Sequence, residues 1–256
     1  MVRAARCMLV LAFVAVAIAG CDDGTSNSAP LGKPIPHVAV APADCKPVKL
    51  LLVGDSLMKQ SAQTIIGELH RHGYPVDALV DAHGGSSVVE YSSTDSHDHP
   101  DPRADLQAHL DAFQPDIVLV DWGINTVDSM WGPDGPSASL EQTVQADMHE
   151  VVQMVSGAGA QLYWTTIPWR DDDPAAAAYA NDVNSWIADL DVPLVDWRGA
   201  VSDARGSYAQ HLESREDHVV RQVRTDDRLH FTPDGIERVA AWTASTLAPE
   251  ACAHGS

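Results

Sequence analysis

Short apolar runs alternate with amphipathic stretches along most of the chain, and this alternation limits the fold more than any other feature. Residues 50–53 are apolar enough for a buried strand, and Ile65, Ile66 and Leu69 recur at helical spacing within 61–72. The same reasoning predicts strands over 76–80, 116–120, 161–166 and 193–196, and helices over 105–113, 139–156, 174–190 and from 233 onward. Strands that alternate with helices form a parallel sheet with helices on both faces. The predicted fold class is therefore α/β.

Polar or glycine residues follow the ends of three predicted strands. Ser56 follows the first strand within the tetrapeptide GDSL, a glycine turn at Gly84 and Gly85 follows the second, and Asn125 follows the third. In open α/β sheets, ligands bind outside the carboxyl ends of the strands. We therefore expect one crevice to gather these residues.

A serine nucleophile needs a base to take its proton and an acid to orient that base. His230 and Asp227, three residues apart, are the candidates, so the predicted catalytic residues are Ser56, Asp227 and His230. The reaction also needs donors aimed at the developing oxyanion. The backbone N–H groups of Ser56 and Gly85 and the side-chain amide of Asn125 are the candidates for this oxyanion hole.

Four sequence blocks occur in order: GDSL at 54–57, the glycine turn at 84–85, GIN at 123–125 and DRLH at 227–230. In these blocks the chain resembles the SGNH or GDSL hydrolases, over about residues 48–247. The resemblance implies a three-layer α/β/α sandwich with a mainly parallel, flavodoxin-like sheet. It also implies a serine esterase mechanism without metal or cofactor, with an oxyanion hole built from the serine, glycine and asparagine blocks.

Some positions depart from the common pattern of that family. Gly84 is an alternative to Gly85 as the oxyanion donor, and we choose Gly85 because the turn then has its usual length after the strand. Asp226 precedes Asp227, and we choose Asp227 because it lies three residues before the histidine. Arg228 occupies a position that is often glycine. None of these departures removes a reacting group.

The N-terminus has the pattern of an export signal. Arg3 and Arg6 precede a short apolar stretch, and small residues lead into Cys21, as at the processing site of bacterial lipoproteins. We predict a lipoprotein signal peptide at 1–20, lipidation of Cys21, a flexible tether at 21–47 and one hydrolase domain at 48–256. The alternative is an ordinary secretory signal. Either interpretation predicts an extracytoplasmic protein, lipid-anchored to the bacterial cell membrane or secreted.

The cysteine count agrees with this placement. Removal of Cys7 with the leader and lipidation of Cys21 leave Cys45 and Cys252, which flank the domain. In an oxidising compartment these two are expected to form a disulfide, the alternative being two unpaired thiols.

Composition excludes some partners. The formal net charge is -20, so nucleic acid is not an expected partner, because binding phosphates requires clustered cations. The only predicted membrane contact is the lipid anchor. Residues 96–101 include metal-ligand types, but a solvated polar loop is the simpler interpretation, and no metal is predicted. Trp122, Trp131 and Trp169 lie near the predicted crevice, where they either stack on a sugar or pack in the core.

These observations predict hydrolysis of a carboxylic ester, carried by a small molecule or by an acylated glycan or lipid, through an acyl-serine intermediate. Two alternatives stay open: an O-acyltransferase acting on a cell-envelope glycan, and a non-catalytic lipoprotein that binds glycan. The loops at 86–103, 127–137 and 198–224 would shape the substrate pocket, and their sequences contain no pattern that identifies the substrate.

Overall fold

A five-stranded parallel sheet forms the centre of the protein. The structure, a computed structural model, describes residues 29–88, 101–125, 138–168 and 174–253. The sheet has the order β2-β1-β3-β4-β5, and all four strand pairings are parallel. Its strands are β1 (Val48–Gly54), β2 (Val76–Ala82), β3 (Ile117–Asp121), β4 (Gln161–Thr165) and β5 (Leu194–Val195). The strand order changes direction between β1 and β3, which is where α/β sheets of this kind bind their ligands.

Helices cover the sheet, in agreement with the predicted α/β/α class. They are α1 (Ser56–Arg71), α2 (Pro102–Phe113), α3 (Ala138–Gly157), α4 (Pro174–Asp189), α5 (Trp197–Ala200), α6 (Pro233–Leu247) and α7 (Glu250–Ala253). Helix α1 packs beside α6, and α2 packs beside α3. Because parallel crossovers are right-handed, the reversal in the order of the strands between β1 and β3 puts these two helix pairs on opposite faces of the sheet. Within the described residues, no helix is both long and apolar enough to cross a membrane.

The central strands are apolar throughout because both of their faces are covered. Residues 50–53 of β1 and 117–120 of β3 are almost completely buried. Such a strand has no polar side facing water, which explains why its sequence is a continuous apolar run without alternation. The sequence therefore indicated all five strands, with ends that differ from the structure by no more than two residues.

Two helices begin earlier than predicted because acidic caps precede them. The apolar spacing predicted a first helix from 61, but α1 begins at Ser56, where the Asp55 carboxylate accepts a hydrogen bond from the Leu57 amide at 2.8 Å. Helix α2 begins at Pro102 behind the capping side chain of Asp101. Asp is a preferred N-cap residue, and proline suits the first helical turn.

A small antiparallel pair lies outside the central sheet. Strands β6 (His211–Glu213) and β7 (Val220–Gln222) form it within the segment that the sequence analysis treated as loop. The pair is short, and its exposed positions include valines, so hydrophobic periodicity gave no clear signal. It brings the chain towards the segment at 225–230 that carries two of the candidate catalytic residues.

The described part of the predicted tether, residues 29–47, corrects that prediction. Gly32 donates its backbone N–H to Glu213 at 3.1 Å, Ala41 donates to His72 at 2.8 Å, and Val38 is buried. The buried Arg238 donates to the Lys33 carbonyl at 2.7 Å. This segment is therefore part of the domain from about residue 30. Its docking depends mainly on backbone hydrogen bonds, which composition does not reveal.

The predicted disulfide is confirmed. Cys45 and Cys252 are bonded, with their Cα atoms 5.0 Å apart and 207 positions apart in sequence. The bond ties the approach to β1 to the last helix, and by chain entropy such a loop stabilises the fold by about 4–5 kcal/mol at most.

Candidate active site

Ser56 is the first residue of α1, at the carboxyl end of β1. Gly54 has to be a glycine here, because a Cβ atom on it would lie 2.6 Å from the Cβ of Met58 and 3.0 Å from that of Asp121. This close approach turns the chain sharply from strand into helix. The N-terminus of a helix has free N–H groups and a positive dipole end, so the Ser56 position suits a developing negative charge.

His230 and Asp227 lie in a tight loop between β7 and α6. Oδ1 of Asp227 accepts hydrogen bonds from the hydroxyl of Thr225 and from the backbone N–H groups of Leu229 (2.9 Å) and His230 (3.0 Å). These bonds leave Oδ2 of Asp227 directed at the imidazole. The loop ends at Thr232 and Pro233, which cap and begin α6 as the sequence predicted.

The three predicted catalytic residues form one hydrogen-bonded chain. Nδ1 of His230 lies 2.7 Å from Oδ2 of Asp227, and Nε2 lies 3.0 Å from Oγ of Ser56. With Asp227 ionised, Nδ1 carries the ring proton and Nε2 is left to accept from the serine hydroxyl. The fold thus brings together residues that are 174 positions apart in sequence.

Asp227 is held in its ionised form. Partial burial would raise the pKa of its carboxyl group, but the hydrogen bonds from Thr225, His230 and the loop amides outweigh that effect and hold the pKa well below its usual range. The neighbouring Asp226 is directed elsewhere, with its Oδ1 3.2 Å from Nε2 of Gln222. The structure therefore pairs the histidine with Asp227 and not with Asp226.

Arg224 supports this loop from beneath, and the sequence analysis did not identify it. Its guanidinium group is buried, donates to the Leu229 carbonyl at 2.6 Å and lies 4.9 Å from the centre of the Phe231 ring. Burial lowers the pKa of Arg224 to about 9, so the group stays charged at neutral pH. The sequence showed only one arginine among several in a loop, which gave no sign that this one is buried.

The glycine turn lies against the strand that carries the nucleophile. The Gly54 carbonyl accepts from the backbone N–H of His83 at 3.0 Å and from the hydroxyl of Ser86 at 2.8 Å. Gly85 has a positive φ of 80°, a conformation that favours glycine, whereas Gly84 does not have a positive φ. The choice of Gly85 as oxyanion donor stays a prediction.

Asn125 reaches the same place from the end of β3. Its side-chain amide donates to Oδ2 of Asp55 and to the backbone carbonyl of Ser86, both at 3.0 Å. Both amide hydrogens thus have partners, so donation to an oxyanion requires one of them to be shared or exchanged. Its assignment to the oxyanion hole also stays a prediction.

The sequence analysis also missed a buried carboxyl group beside Asp55. Asp121, the last residue of β3, is 3% exposed, and its Oδ1 accepts from the hydroxyl of Thr165 at 2.7 Å. An acidic residue that ends an all-apolar strand was the available signal, because aspartate is rarely buried without a partner.

The structure describes only some of the other candidate residues from the sequence. Trp122 is buried in the core, so it is not free to stack on a sugar. Trp131, Trp169, Cys21 and residues 96–100 lie outside the described residues. Among the residues that are described, no three His, Cys, Asp or Glu side chains form a group that could hold a metal ion.

Comparison with known families agrees with this geometry. Residues 49–246 match the model of a family described as "Protein of unknown function (DUF459)", which is more than three quarters of the chain. The chain belongs to the DUF459 family. No curated protein sequence matches it. The family match begins at β1 and ends in α6, so it includes every residue of the hydrogen-bonded chain.

Solved structures show that this DUF459 chain has the SGNH hydrolase fold. A variant of Axe2, an acetyl-xylooligosaccharide esterase from Geobacillus stearothermophilus, superposes with a TM-score of 0.56 at 14% identity, covering 82% of this chain and 96% of that chain. A Slackia heliotrinireducens protein assigned to the SGNH hydrolases has a TM-score of 0.54 at 17% identity, covering 79% and 100%. The esterase EstA from Pseudoalteromonas sp. has a TM-score of 0.55 at 11% identity, covering 79% and 97%. At these identities the likeness establishes the fold.

Arg228 provides a test of the geometry of the catalytic loop. It adopts a positive φ of 63°, which costs a residue with a side chain roughly 1–2 kcal/mol. We predict that Arg228→Gly is more stable than Arg228→Ala by about 1 kcal/mol, measured by urea denaturation. Both variants remove the same side-chain contacts, so their difference isolates the backbone. An alanine variant as stable as the glycine variant would contradict the loop conformation.

Proposed function

We propose that this protein is a serine esterase that hydrolyses carboxylic esters through an acyl-enzyme on Ser56. The observation that supports the proposal most directly is the chain of hydrogen bonds from Asp227 through His230 to Ser56, at 2.7 and 3.0 Å. These are the distances at which a base can take a proton from a nucleophile and an acid can orient the base.

In the proposed first half-reaction, Oγ of Ser56 attacks the ester carbonyl carbon as its proton passes to Nε2 of His230. The tetrahedral intermediate then collapses, and the leaving alkoxide takes that proton and departs as the alcohol. Asp227 stabilises the imidazolium and stays ionised. Water repeats the sequence on the acyl-serine, with His230 again as base, and releases the carboxylic acid.

The oxyanion would form next to the N-terminus of α1. The Ser56 amide lies in the first turn of that helix, where N–H groups are not used within the helix. The turn that contains Gly85 lies beside it, because the hydroxyl of the neighbouring Ser86 donates to the Gly54 carbonyl. The Asn125 amide also lies beside it, because it donates to the Asp55 carboxylate. These three donors are the proposed oxyanion hole.

The substrate class is proposed from the chemistry of the site and from the similar structures. Two of those proteins are named as acetyl-xylooligosaccharide or acetyl xylan esterases, and another as an esterase. An ester of a small acyl group, on a small molecule or on a glycan, is accordingly the first substrate to test. Transfer of the acyl group to a glycan hydroxyl instead of to water would appear as a product formed only when that acceptor is present.

We also propose an extracytoplasmic location with a lipid anchor on Cys21. The disulfide supports it, because such bonds persist in oxidising compartments. From about Pro30 the chain is hydrogen-bonded to the domain, so residues 30–47 do not form part of a flexible tether.

Removal of the nucleophile tests the proposed activity. We expect the wild-type protein to hydrolyse short-chain nitrophenyl esters and Ser56→Ala to lose about 10⁴-fold or more in kcat. Ser156→Ala, which removes an exposed hydroxyl at the end of α3, is the matched control and should keep wild-type turnover. Full turnover by Ser56→Ala would exclude Ser56 as the nucleophile.

Two adjacent acids allow a second test with equal charge change. Asp227→Asn should lower kcat by roughly 10³- to 10⁴-fold, because the imidazole loses its orienting carboxylate. Asp226→Asn should leave kcat nearly unchanged, because Asp226 faces Gln222. Since hydrogen bonds hold the pKa of Asp227 well below its usual range, mild acidification of the wild type should leave Asp227 ionised. Equal losses in the two variants would contradict the assignment.

A further inference from the structure

An aspartate and a histidine form a pair at the end of β2, next to the glycine turn. Oδ1 of Asp81 lies 2.7 Å from Nε2 of His83, and the two side chains are 10% and 26% exposed. The residues are two positions apart where the chain leaves an extended strand, so their side chains can lie on the same face of the sheet. A carboxylate only accepts hydrogen bonds, so Nε2 of His83 is the donor.

A second histidine reaches the same carboxylate from helix α2. Nε2 of His109 lies 3.1 Å from Oδ2 of Asp81. In the part of the chain that the structure describes, β2 lies at the edge of the sheet and has β1 as its one strand neighbour. The contact with α2 therefore braces the Asp81 side chain at the end of an edge strand.

The glycine turn consists of residues 83–86. The Ser86 N–H donates to the His83 carbonyl at 3.2 Å, which closes a four-residue turn. Gly85 is its third residue and has the positive φ, 80°, that type II turns require at that position. Gly84 and Gly85 have no side chains with which to fix the orientation of their peptide groups. The direction of the Gly85 N–H therefore depends on how firmly His83 and Ser86 are held.

The two ends of the turn are held differently. Ser86 is buried, its hydroxyl donates to the Gly54 carbonyl at 2.8 Å, and its own carbonyl accepts from the Asn125 amide at 3.0 Å. His83 is more exposed, and its backbone N–H donates to the same Gly54 carbonyl at 3.0 Å. Its ring is bonded to Asp81. The Asp81–His83 bond thus anchors the more exposed end of the turn.

We propose that Asp81 and His83 are positioning residues of the esterase site: the carboxylate holds the imidazole, and the imidazole holds the turn that directs the Gly85 N–H at the oxyanion. In this role the pair acts through the turn and not on the substrate. The proposal rests on the proposed esterase function for its kinetic consequence. The hold of the pair on the turn does not depend on that function.

Kinetics test the positioning role. Asp81→Ala should lower kcat by roughly 10- to 100-fold with little change in KM, because a displaced Gly85 N–H is missed mainly when the oxyanion forms. Asp81→Asn keeps an oxygen that accepts from His83 and should restore most of kcat. Asp77→Ala, which removes an exposed carboxylate from the same strand, is the matched control and should keep wild-type kcat.

Three kinetic results would overturn the proposal. They are wild-type kcat in Asp81→Ala, a higher KM with unchanged kcat in that variant, and a loss in Asp81→Asn as large as in Asp81→Ala. Urea denaturation of each variant separates loss of the fold from loss of position. Should Asp81→Ala fail to fold, His83→Ala takes its place, with the same expected loss, because it breaks the same bond.

Nuclear magnetic resonance tests the hold on the turn without substrate. In the ¹H–¹⁵N spectrum, the Gly85 amide resonance should move in Asp81→Ala and in His83→Ala and stay in place in Asp77→Ala. A Gly85 resonance that does not move in either of the first two variants would overturn the proposal. This result can fail while Ser56 is the nucleophile, and the Ser56→Ala test can fail while the pair still holds the turn.

Discussion

The close pairing of β1 with β3 determines where every part of the site can lie. Gly54 faces Asp121 across this pair, and no side chain fits between Gly54, Met58 and Asp121. The strand therefore ends abruptly and α1 begins at Ser56, with Asp55 completely buried at the junction of β1 and α1. Any side chain at position 54 would separate the strands at the point where the nucleophile, the buried acids and Asn125 meet.

Asp55 has more contacts in this arrangement than its place in the GDSL motif suggests. Its carboxylate caps α1 and accepts from the Asn125 amide, and its backbone N–H donates to the Asp121 carbonyl. A helix cap of this kind is worth about 1 kcal/mol, but here it also sets the direction of the helix that carries the nucleophile. Folding stability and the geometry of the site thus depend on the same side chain.

The sequence predicted what depends on local pattern. The strands were recognisable because both faces of β1 and β3 are covered and their residues are all apolar. The serine, histidine and aspartate were recognisable because their types and spacing fit one chemistry, and the fold places them in contact. The disulfide followed from counting cysteines, with Cys7 assigned to the predicted leader and Cys21 to the predicted lipidation site. The start of α1 was missed because the prediction rested on the spacing of Ile65, Ile66 and Leu69, which lie beyond the first turn.

Contacts between distant segments were not predictable in the same way. Residues 30–41 dock through backbone hydrogen bonds to His72, Ala204 and Glu213. Amino-acid composition does not reveal such bonds. Arg224 and Asp121 are charged residue types that are usually exposed, and only the fold shows that both are buried beside the site. The loops at 86–103, 127–137 and 198–224 were expected to shape the substrate pocket, and their residue pattern did not identify a substrate.

The central claim is that His230 activates Ser56 as a nucleophile. The most direct measurement is peptide mapping by mass spectrometry after incubation with a serine-directed phosphonate, since phosphonates react with activated serines and leave a covalent adduct. The account predicts one adduct on the peptide that contains Ser56 in the wild-type protein, and no adduct there in His230→Ala. An unlabelled wild-type protein, or an adduct on a different serine, would contradict it.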